Sequence, residues 1–215
     1  GIAVSGLPDF QWPIDCPILQ KASAMKSPVV VFDFDKTLTN RDTLFGFYRA
    51  VAGGGPLFIP KRMLLIAAAV LYKSGLIKNR TLKQVGVYLF LKDRTQDELE
   101  VAAQNYCEQI ELNDIYLNHF QETNGEKWII SASPEIYLRH LFPGDHVAGT
   151  TFAYRGNKVI GLKTNMFGRE KRKFLGEKGI TRIHRLYTDS FADKWLMEIS
   201  DNVCIVNQGR IVQSR

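Results

Sequence analysis

The sequence predicts an α/β fold in which a doubly wound parallel sheet carries an inserted group of helices. Three observations lead to this prediction. The short apolar run Val29–Phe32 has the composition of a strand that is buried on both faces of a parallel sheet. From residue 127 onward, strand-like and helix-like segments alternate, as they do around parallel sheets. Between these two parts, residues 43–120 show helical patterns and no segment rich in β-forming residues.

The first strand runs directly into two aspartates, Asp33 and Asp35. Open α/β sheets place their ligand crevice at the carboxyl ends of the strands, so these carboxylates are predicted to lie in it. One Asp can attack phosphorus, and a second carboxylate two residues on can act as general acid and base. Both can also share a hard divalent cation such as Mg2+. An Asx-rich turn is the alternative explanation of the spacing, but Thr37 extends the motif to Asp-x-Asp-x-Thr.

The inserted segment is predicted to be a small bundle of four helices. Its second helix is an apolar run of ten residues, which is too short to cross a bilayer because a span needs about 20. Its fourth helix opens with a capping box, in which Thr95 precedes Glu98 by three residues. The four helices are predicted at Thr43–Val51, Met63–Tyr72, Thr81–Leu91 and Thr95–Leu112.

The second part of the chain alternates strands with helices. Helices are predicted to begin at Pro134 and to cover Arg169–Lys178 and Phe191–Ile199. The strands are predicted at Lys127–Ile130, His146–Phe152, Lys158–Gly161, Arg182–Tyr187, Val203–Val206 and Arg210–Gln213.

Polar residues at the ends of these later segments are predicted to join Asp33 at one edge of the sheet. Ser131 follows a strand and precedes a helix, which is a natural seat for a phosphate, although such a serine is often only a helix cap. Lys171 stands at a helix start, where the helix dipole disfavours a cation and a phosphate partner would explain it. Asp189 follows another strand, with Asp193 four residues on, on the same face of the predicted helix.

With these residues the chain resembles the haloacid dehalogenase superfamily of phosphatases, in the branch of phosphoserine phosphatase. The resemblance covers nearly all of residues 28–207 and includes a helical cap inserted after the first strand. It implies a Rossmann-like core in which Asp33 is the nucleophile and Asp35 the acid and base. It also implies an Mg2+ ion held by the Asp35 carbonyl and by the carboxylates of Asp33 and Asp189, with Asp193 supporting the metal or the lysine.

The same resemblance implies a phosphate-binding set. Ser131, Lys171 and Thr37 would bind the transferring phosphoryl group, with Lys173 as the alternative lysine if the register differs by two. Phosphoserine phosphatases carry an acidic substrate-binding residue nine positions after the nucleophile, and Asp42 occupies that position here. The chain departs from the family where Ala132 and Ser133 follow the serine in place of two glycines.

The chain is predicted to consist of an extension, a core and a cap, and its composition limits its location and partners. The 215 residues are divided into an N-terminal extension of unknown role (1–24), an α/β core (25–42 and 121–215) and a helical cap (43–120). Three cysteines are too few and odd in number for a disulfide framework, and no signal peptide pattern is visible, so a cytoplasmic location is expected. No nucleic-acid-binding motif accompanies the net charge of +6, so no nucleic-acid partner is expected.

The charge of the cap is unevenly distributed. Residues 43–92 contain eight basic and no acidic residues, and the apolar run Met63–Tyr72 lies among them. Cations beside an apolar segment fit peripheral contact with an anionic membrane, and the cap pattern resembles that of bacterial phosphatidylglycerophosphate phosphatases. The alternative is that Met63–Tyr72 is the buried central helix of the bundle and that the basic residues are merely solvated.

The sequence therefore predicts a Mg2+-dependent phosphomonoester hydrolase that acts through an aspartyl-phosphate. Its substrate would be a lipid-linked phosphate such as phosphatidylglycerophosphate, or a small phosphorylated metabolite such as phosphoserine. A phosphomutase or phosphotransferase, in which a sugar hydroxyl replaces water, is an alternative of the same superfamily. A non-catalytic phosphate- or lipid-binding protein is a rival of another class, against which the complete set of Asp33, Asp35, Lys171 and Asp189 argues, since binding needs no nucleophile.

Overall fold

The computed structural model describes residues 27–53 and 55–214, and within them the strands form one seven-stranded sheet. The strands are β1 (Val29–Phe32), β2 (Glu126–Pro134), β3 (His146–Arg155), β4 (Lys158–Thr164), β5 (Ile183–Thr188), β6 (Ser200–Asn207) and β7 (Arg210–Ser214). The α-helices are α1 (Leu44–Ala52), α2 (Phe58–Lys73), α3 (Asn79–Phe90), α4 (Gln96–Cys107), α5 (Glu135–Leu141), α6 (Arg169–Glu177) and α7 (Lys194–Met197). A π-helical turn at Tyr116–Phe120 and a 3-10 turn at Phe191–Asp193 complete these elements.

The sheet has the strand order β4-β3-β2-β1-β5-β6-β7. Its five central strands are parallel, and only the edge strands β4 and β7 pair in the antiparallel sense. In the centre, Val31 of β1 stands level with Trp128 of β2 and Leu186 of β5. The carboxyl ends of β1, β2 and β5 therefore meet at one edge. The predicted α/β fold with a mainly parallel sheet is confirmed.

Both faces of the sheet are covered by apolar side chains. Successive residues of a strand point to opposite faces, and in β1 Phe32 joins one buried cluster whereas Val31 joins another. The first cluster includes side chains of the four inserted helices, such as Phe47 and Val87. The second lies against α6, whose Leu175 is fully buried. This burial on both faces explains why β1 is a continuous apolar run.

Several predicted boundaries differ from the structure, and three of these differences concern the chain around the strand ends. β2 continues to Pro134 rather than ending at Ile130, with a shift of register between these residues. The fourth inserted helix ends at Cys107 instead of Leu112, because Leu112 bridges to Thr39 in the loop after β1. The helix predicted at Phe191–Ile199 is split into the 3-10 turn and the short α7.

The interpretation of Met63–Tyr72 as a buried central helix is wrong. This run lies on α2, which starts five residues earlier because Pro60 falls in the first turn, where its missing N–H has no helical partner. Only Ala68 of α2 is buried, while Met63 is 60% and Val70 61% exposed. The physical reason is that α2 packs chiefly along α3, so a single stripe of its surface is covered.

Hydrogen bonds join the inserted helices to the β3–β4 hairpin. The Asp93 N–H donates to the Val159 carbonyl (3.0 Å), and the Val159 N–H donates to the Arg94 carbonyl (2.9 Å). The Gln84 side chain of α3 accepts the Leu162 N–H (3.0 Å). α3 and the turn after it are therefore fixed against the β3–β4 hairpin.

Two further sequence predictions concern the chain as a whole. The predicted extension 1–24 lies outside the described residues. Across residues 27–53 and 55–214, no helix combines the length and apolar character that crossing a bilayer would require.

Candidate active site

The turn after β1 presents two carboxylates on one side. Phe34 is fully buried between Asp33 and Asp35, so the two flanking side chains point away from the core. The Phe34 carbonyl accepts the Leu38 N–H (2.8 Å), which closes the loop, and Lys36 adopts a left-handed conformation with φ of 59°. The apolar strand and this tight loop together bring both aspartates to the carboxyl edge of the sheet.

Lys171 joins the carboxylates of two distant segments. Its Nζ donates to Asp33 Oδ1 (3.0 Å) and to Asp193 Oδ2 (2.8 Å), and its side chain is only 2% exposed. Burial alone would lower the pKa of Lys171, but the charges of Asp33 and Asp193 outweigh it and raise the pKa above the usual value. The lysine is therefore a fixed cation beside Asp33. Thr188 Oγ1 donates to Asp193 Oδ2 (3.0 Å) and holds that carboxylate in place.

The alternative lysine, Lys173, lies on the protein surface. Its side chain is 65% exposed and is 3.7 Å from both Glu170 and Glu177 on the same helix. Lys171 and Lys173 are two residues apart on α6 and so point to different sides of it. Of these two lysines, Lys171 is the one that the structure brings to Asp33.

Asp35 is held by donors from two other elements. Its Oδ1 accepts the Thr43 N–H (2.9 Å) and the Thr43 hydroxyl (2.7 Å), and its Oδ2 accepts a short hydrogen bond from Ser133 Oγ. Burial, and then the charge of Asp42, raise the pKa of Asp35 to about 7, although the bonds from Ser133 and Thr43 oppose the shift. A carboxyl group with this pKa can both donate and accept a proton near neutral pH.

The partners of Asp35 were not predicted from the sequence. Thr43 Oγ1 lies 2.7 Å from Tyr137 Oη, and the Tyr106 hydroxyl donates to the Thr43 carbonyl (2.7 Å). A Cβ at Gly46 would come within 2.1 Å of Tyr106 Oη, so glycine is needed for this tyrosine to reach the loop. The available signals were the position of Thr43 directly before α1 and the replacement of a family glycine by Ser133.

Ser131 lies at the end of β2, beside the residues already described. It is almost completely buried, and its Oγ accepts the Ser133 N–H (3.1 Å). The Ala132 carbonyl between the two serines accepts hydrogen bonds from Lys83 of α3 and from Thr150 of β3 (2.6 Å for Thr150). The loop that carries Ser131 is thus fixed from both sides.

The remaining predicted residues differ in their placement. Asp189 borders the same cavity, and burial, followed by the charge of Asp33, raises its pKa to about 6. Asp42 also borders this cavity, and its Oδ1 accepts the Leu44 N–H (3.0 Å) at the start of α1. Thr37 is fully buried and is not among the cavity-lining residues, so the structure does not bring it to the predicted phosphate site.

A cavity of about 430 Å³ contains these groups. One wall is polar and is formed by the ends of the strands, including Asp33, Ser131 and Asp189. The opposite wall comes from the inserted helices and is largely apolar. Its side chains are Leu44, Phe45, Tyr48, Leu65, Ala69, Tyr72 and Leu82, together with the cation of Lys83. The cavity can therefore accept a charged group at one end and an apolar body at the other.

The donor set of the cavity fits a hard cation, although few side chains are free to bind it. Within the described residues, no group of three or more His, Cys, Asp or Glu side chains is placed to hold a metal. Both carboxylate oxygens of Asp35 accept protein donors, and Asp193 accepts two bonds on Oδ2, whereas Asp33 accepts one bond, from Lys171 on Oδ1. Asp33, through its other oxygen, and Asp189 are therefore the carboxylates best suited to Mg2+. Such an ion would need main-chain carbonyls or water as further ligands. It would also offset the repulsion from Asp33, which, after burial, raises the pKa of Asp189.

The chain resembles several solved structures in fold. A protein of unknown function from Bordetella pertussis Tohama I superposes with a TM-score of 0.65 at 18% identity, covering 81% of this chain and 87% of that one. Phosphoserine phosphatase from T. onnurineus gives a TM-score of 0.55 at 18% identity, covering 83% and 82%. A structure described as a phospho-aspartyl intermediate analogue of phosphoserine phosphatase gives 0.52 at 18% identity, covering 84% and 93%.

The sequence itself also points to a family. Comparison with curated protein sequences gives no significant match. The sequence profile of the haloacid dehalogenase-like hydrolases, however, matches residues 30–198, a range that includes all of β1 but its first residue, the inserted helices and the strand ends that carry the cavity carboxylates. The chain therefore belongs to the haloacid dehalogenase-like hydrolase family.

Proposed function

We propose that this protein is a Mg2+-dependent phosphatase that hydrolyses a phosphomonoester through an aspartyl-phosphate at Asp33. The observation that carries the proposal is the contact between Asp33 and Lys171 inside the cavity. A lysine in this position orients the carboxylate and also offsets the charge of a phosphoryl group that approaches it. Binding alone would need the cation but not a carboxylate beside it.

The reaction would proceed in two steps. One oxygen of Asp33 attacks phosphorus, the bond to the ester oxygen breaks, and Asp35 gives its proton to the departing alcohol. Water then attacks the aspartyl-phosphate, Asp35 takes a proton from that water, and inorganic phosphate leaves with Asp33 restored. A pKa of about 7 suits Asp35 to both roles. A phosphotransferase would differ only in that a second alcohol replaces the water.

Other residues of the cavity would bind the substrate. The hydroxyl of Ser131 and the ammonium of Lys171 would hold the phosphoryl oxygens, and Asp193 would keep Lys171 in position through their 2.8 Å contact. Asp33, Asp189 and the Asp35 carbonyl would hold Mg2+, which supplies positive charge to the reacting phosphate when bound. The resemblance to the phospho-aspartyl analogue of phosphoserine phosphatase supports this assignment at the level of the fold.

Metal dependence provides the test of the proposed activity. With p-nitrophenyl phosphate as substrate, exhaustive chelation is expected to remove turnover and added Mg2+ to restore it. Asp189→Ala is expected to raise the Mg2+ concentration needed for half-maximal activity at least about ten-fold, because one of two metal carboxylates is lost. Asp201→Ala, a change on the surface of β6, serves as the control. Turnover that persists after chelation would contradict the metal assignment.

The exposed surface of α2 favours a lipid-linked phosphate as substrate. Met63 is 60% and Val70 61% exposed, and residues 43–92 contain no acidic residue. The opposite side of the same helix lines the cavity. An acyl chain could therefore follow α2 from a bilayer to the phosphate site. The exposed apolar residues of α2 and its flanks are Leu57, Ile59, Met63, Leu64, Ile66, Val70, Leu71 and Leu76.

Basic side chains around α2 would add attraction to an anionic bilayer. Each contributes about 1 kcal/mol near such a surface, and burial of apolar area contributes roughly 25 cal/mol per Å². The exposed basic residues beside α2 are Arg62, Lys73, Lys78 and Arg80. A small metabolite is the alternative substrate, supported by the position of Asp42 at the cavity and by the likeness to phosphoserine phosphatases.

Liposome sedimentation distinguishes the two substrate classes. The protein is expected to sediment with vesicles that contain anionic lipid, less so at raised salt, and Val70→Asp is expected to reduce the bound fraction several-fold. Val101→Asp is the matched control, since Val101 is 60% exposed on α4. Absence of binding at every salt concentration, together with rapid hydrolysis of phosphoserine, would support the small-metabolite alternative.

A further inference from the structure

Lys83 is a buried cation that the reaction described above does not use. It belongs to α3 of the inserted helices, and only 7% of its surface is exposed. Its Nζ donates to the Ala132 carbonyl and to Thr150 Oγ1 (3.3 Å). No carboxylate lies within salt-bridge distance of it in the part of the chain that the structure describes. Burying an ammonium without a directly bonded counter-ion is costly, even though the charges of Asp35 and Asp42 attract it from farther away, so this arrangement calls for a specific explanation.

The carbonyl that Lys83 binds controls the direction of the next N–H. In a trans peptide the C=O and the following N–H point in opposite directions. Lys83 and Thr150 fix the Ala132 carbonyl from one side, so the Ser133 N–H is directed to the other side, where it donates to Ser131 Oγ (3.1 Å). Because Ser131 Oγ accepts this bond, its own hydroxyl hydrogen is left to donate to a phosphoryl oxygen.

The same peptide also positions Asp35. Ser133 Oγ donates to Asp35 Oδ2, and its location depends on the backbone that Lys83 and Thr150 hold. One lysine from the inserted helices therefore supports both the phosphate-binding serine and a partner of the proton-transferring carboxyl. The positive charge of Lys83 further favours an anion in the cavity, whose wall it helps to form.

We infer that Lys83 is a positioning residue, which acts through the Ala132 carbonyl to orient the Ser131 hydroxyl toward the phosphoryl group. This inference rests on the proposed phosphatase function for its substrate, but it concerns a residue of the inserted helices rather than of the strand ends. It also gives the inserted helices a role in phosphate binding, because the loop is fully oriented only when the Lys83 side chain of α3 reaches Ala132 of β2 and Thr150 of β3.

The inference is tested with Lys83→Met, which keeps the length and apolar stem of the side chain but removes its donors and charge. Inorganic phosphate binding is measured by calorimetry in the presence of Mg2+, alongside turnover of p-nitrophenyl phosphate. The dissociation constant for phosphate and KM are each expected to rise about ten-fold or more. Lys92→Met, which changes an exposed lysine that follows α3, is the control and is expected to leave both values unchanged.

A second variant separates positioning from general stability. Thr150→Val removes the other donor to the Ala132 carbonyl and is expected to weaken phosphate binding in the same direction. The double variant is expected to lose less than the sum of the two single losses, because both act on one carbonyl. Destabilisation of Lys83→Met with unchanged phosphate affinity would overturn the inference, as would strictly additive losses.

The phosphate measurement also keeps the two proposals apart. A wild-type protein that binds phosphate but turns over no phosphomonoester would contradict the proposed function, while the effect of Lys83→Met on phosphate binding would still support the positioning role. A wild-type protein that hydrolyses p-nitrophenyl phosphate, with no change of KM or phosphate affinity in Lys83→Met, would contradict only the inference about Lys83.

Discussion

Asp33→Asn is expected to lower the turnover number for any phosphomonoester substrate by roughly four to six orders of magnitude. Asparagine has nearly the same shape as aspartate, but its amide cannot attack phosphorus. The fold is expected to persist, because Lys171 keeps its contact with Asp193. Steady-state kinetics measure the loss, and circular dichroism with denaturant unfolding checks the fold.

The control for this variant is Asp114→Asn, which changes an exposed carboxylate outside the cavity. It is expected to retain wild-type turnover. Beryllofluoride, which mimics a phosphoryl group on a carboxylate, is expected to bind the wild type and not Asp33→Asn. Near-wild-type activity in Asp33→Asn would show that another group attacks phosphorus.

Lys171→Met is expected to lower kcat/KM by about two to three orders of magnitude, because it removes a fixed cation beside the reacting phosphate. It is also expected to lower the free energy of unfolding by roughly 3–5 kcal/mol, since the carboxylate of Asp193 would remain buried without its partner. Kinetics and urea denaturation measure the two effects separately.

Two variants make the Lys171 prediction specific. Lys173→Met changes an exposed lysine of the same helix. It is expected to change kcat/KM by less than about two-fold and the free energy of unfolding by less than about 0.5 kcal/mol. Adding Asp193→Asn to Lys171→Met is expected to recover part of the lost stability, because the unpaired charge is removed, but none of the lost activity. A double variant with restored activity would show that Lys171 serves only the fold.

The sequence could identify the strand ends because their signals are local. A run of apolar residues directly followed by Asp33 and Asp35 needs no tertiary information to be recognised. Lys171 was identifiable because a cation at a helix start needs a compensating anion, and the structure supplies two carboxylates. For Asp33, Asp35 and Lys171, the neighbouring residues in the sequence are therefore enough to predict a place in the site.

The partners of Asp35 could not be identified in the same way. Ser133 and Asp35 are 98 residues apart, and the sequence does not show how the loop after β1 is aligned with the end of β2. Tyr137 looks like an ordinary core tyrosine until the structure places its hydroxyl 2.7 Å from Thr43. The role of Lys83 depends on the side of α3 that faces the end of β2, which helical periodicity alone does not specify.

The exposure of α2 shows a different limit on what the sequence can predict. An apolar run indicates that a segment avoids water, but not whether protein or another phase covers it. The sequence therefore left two interpretations of Met63–Tyr72, and the packing of α2 chiefly along α3 removes the buried one. The sequence also predicted that Asp193 shares a helix face with Asp189. The structure instead has a 3-10 turn before α7, and this turn directs Asp193 to Lys171.

The central claim, that Asp33 carries the phosphoryl group during turnover, can be measured directly. Wild-type protein is mixed with p-nitrophenyl phosphate and Mg2+, quenched in acid within the first turnovers, and treated with borohydride, which reduces an aspartyl-phosphate to homoserine. Peptide mass spectrometry is expected to find homoserine at position 33 and nowhere else, and to find none in Asp33→Asn. Phosphate release without any modification at position 33, or a stable phosphoryl group on Ser131, would contradict the account.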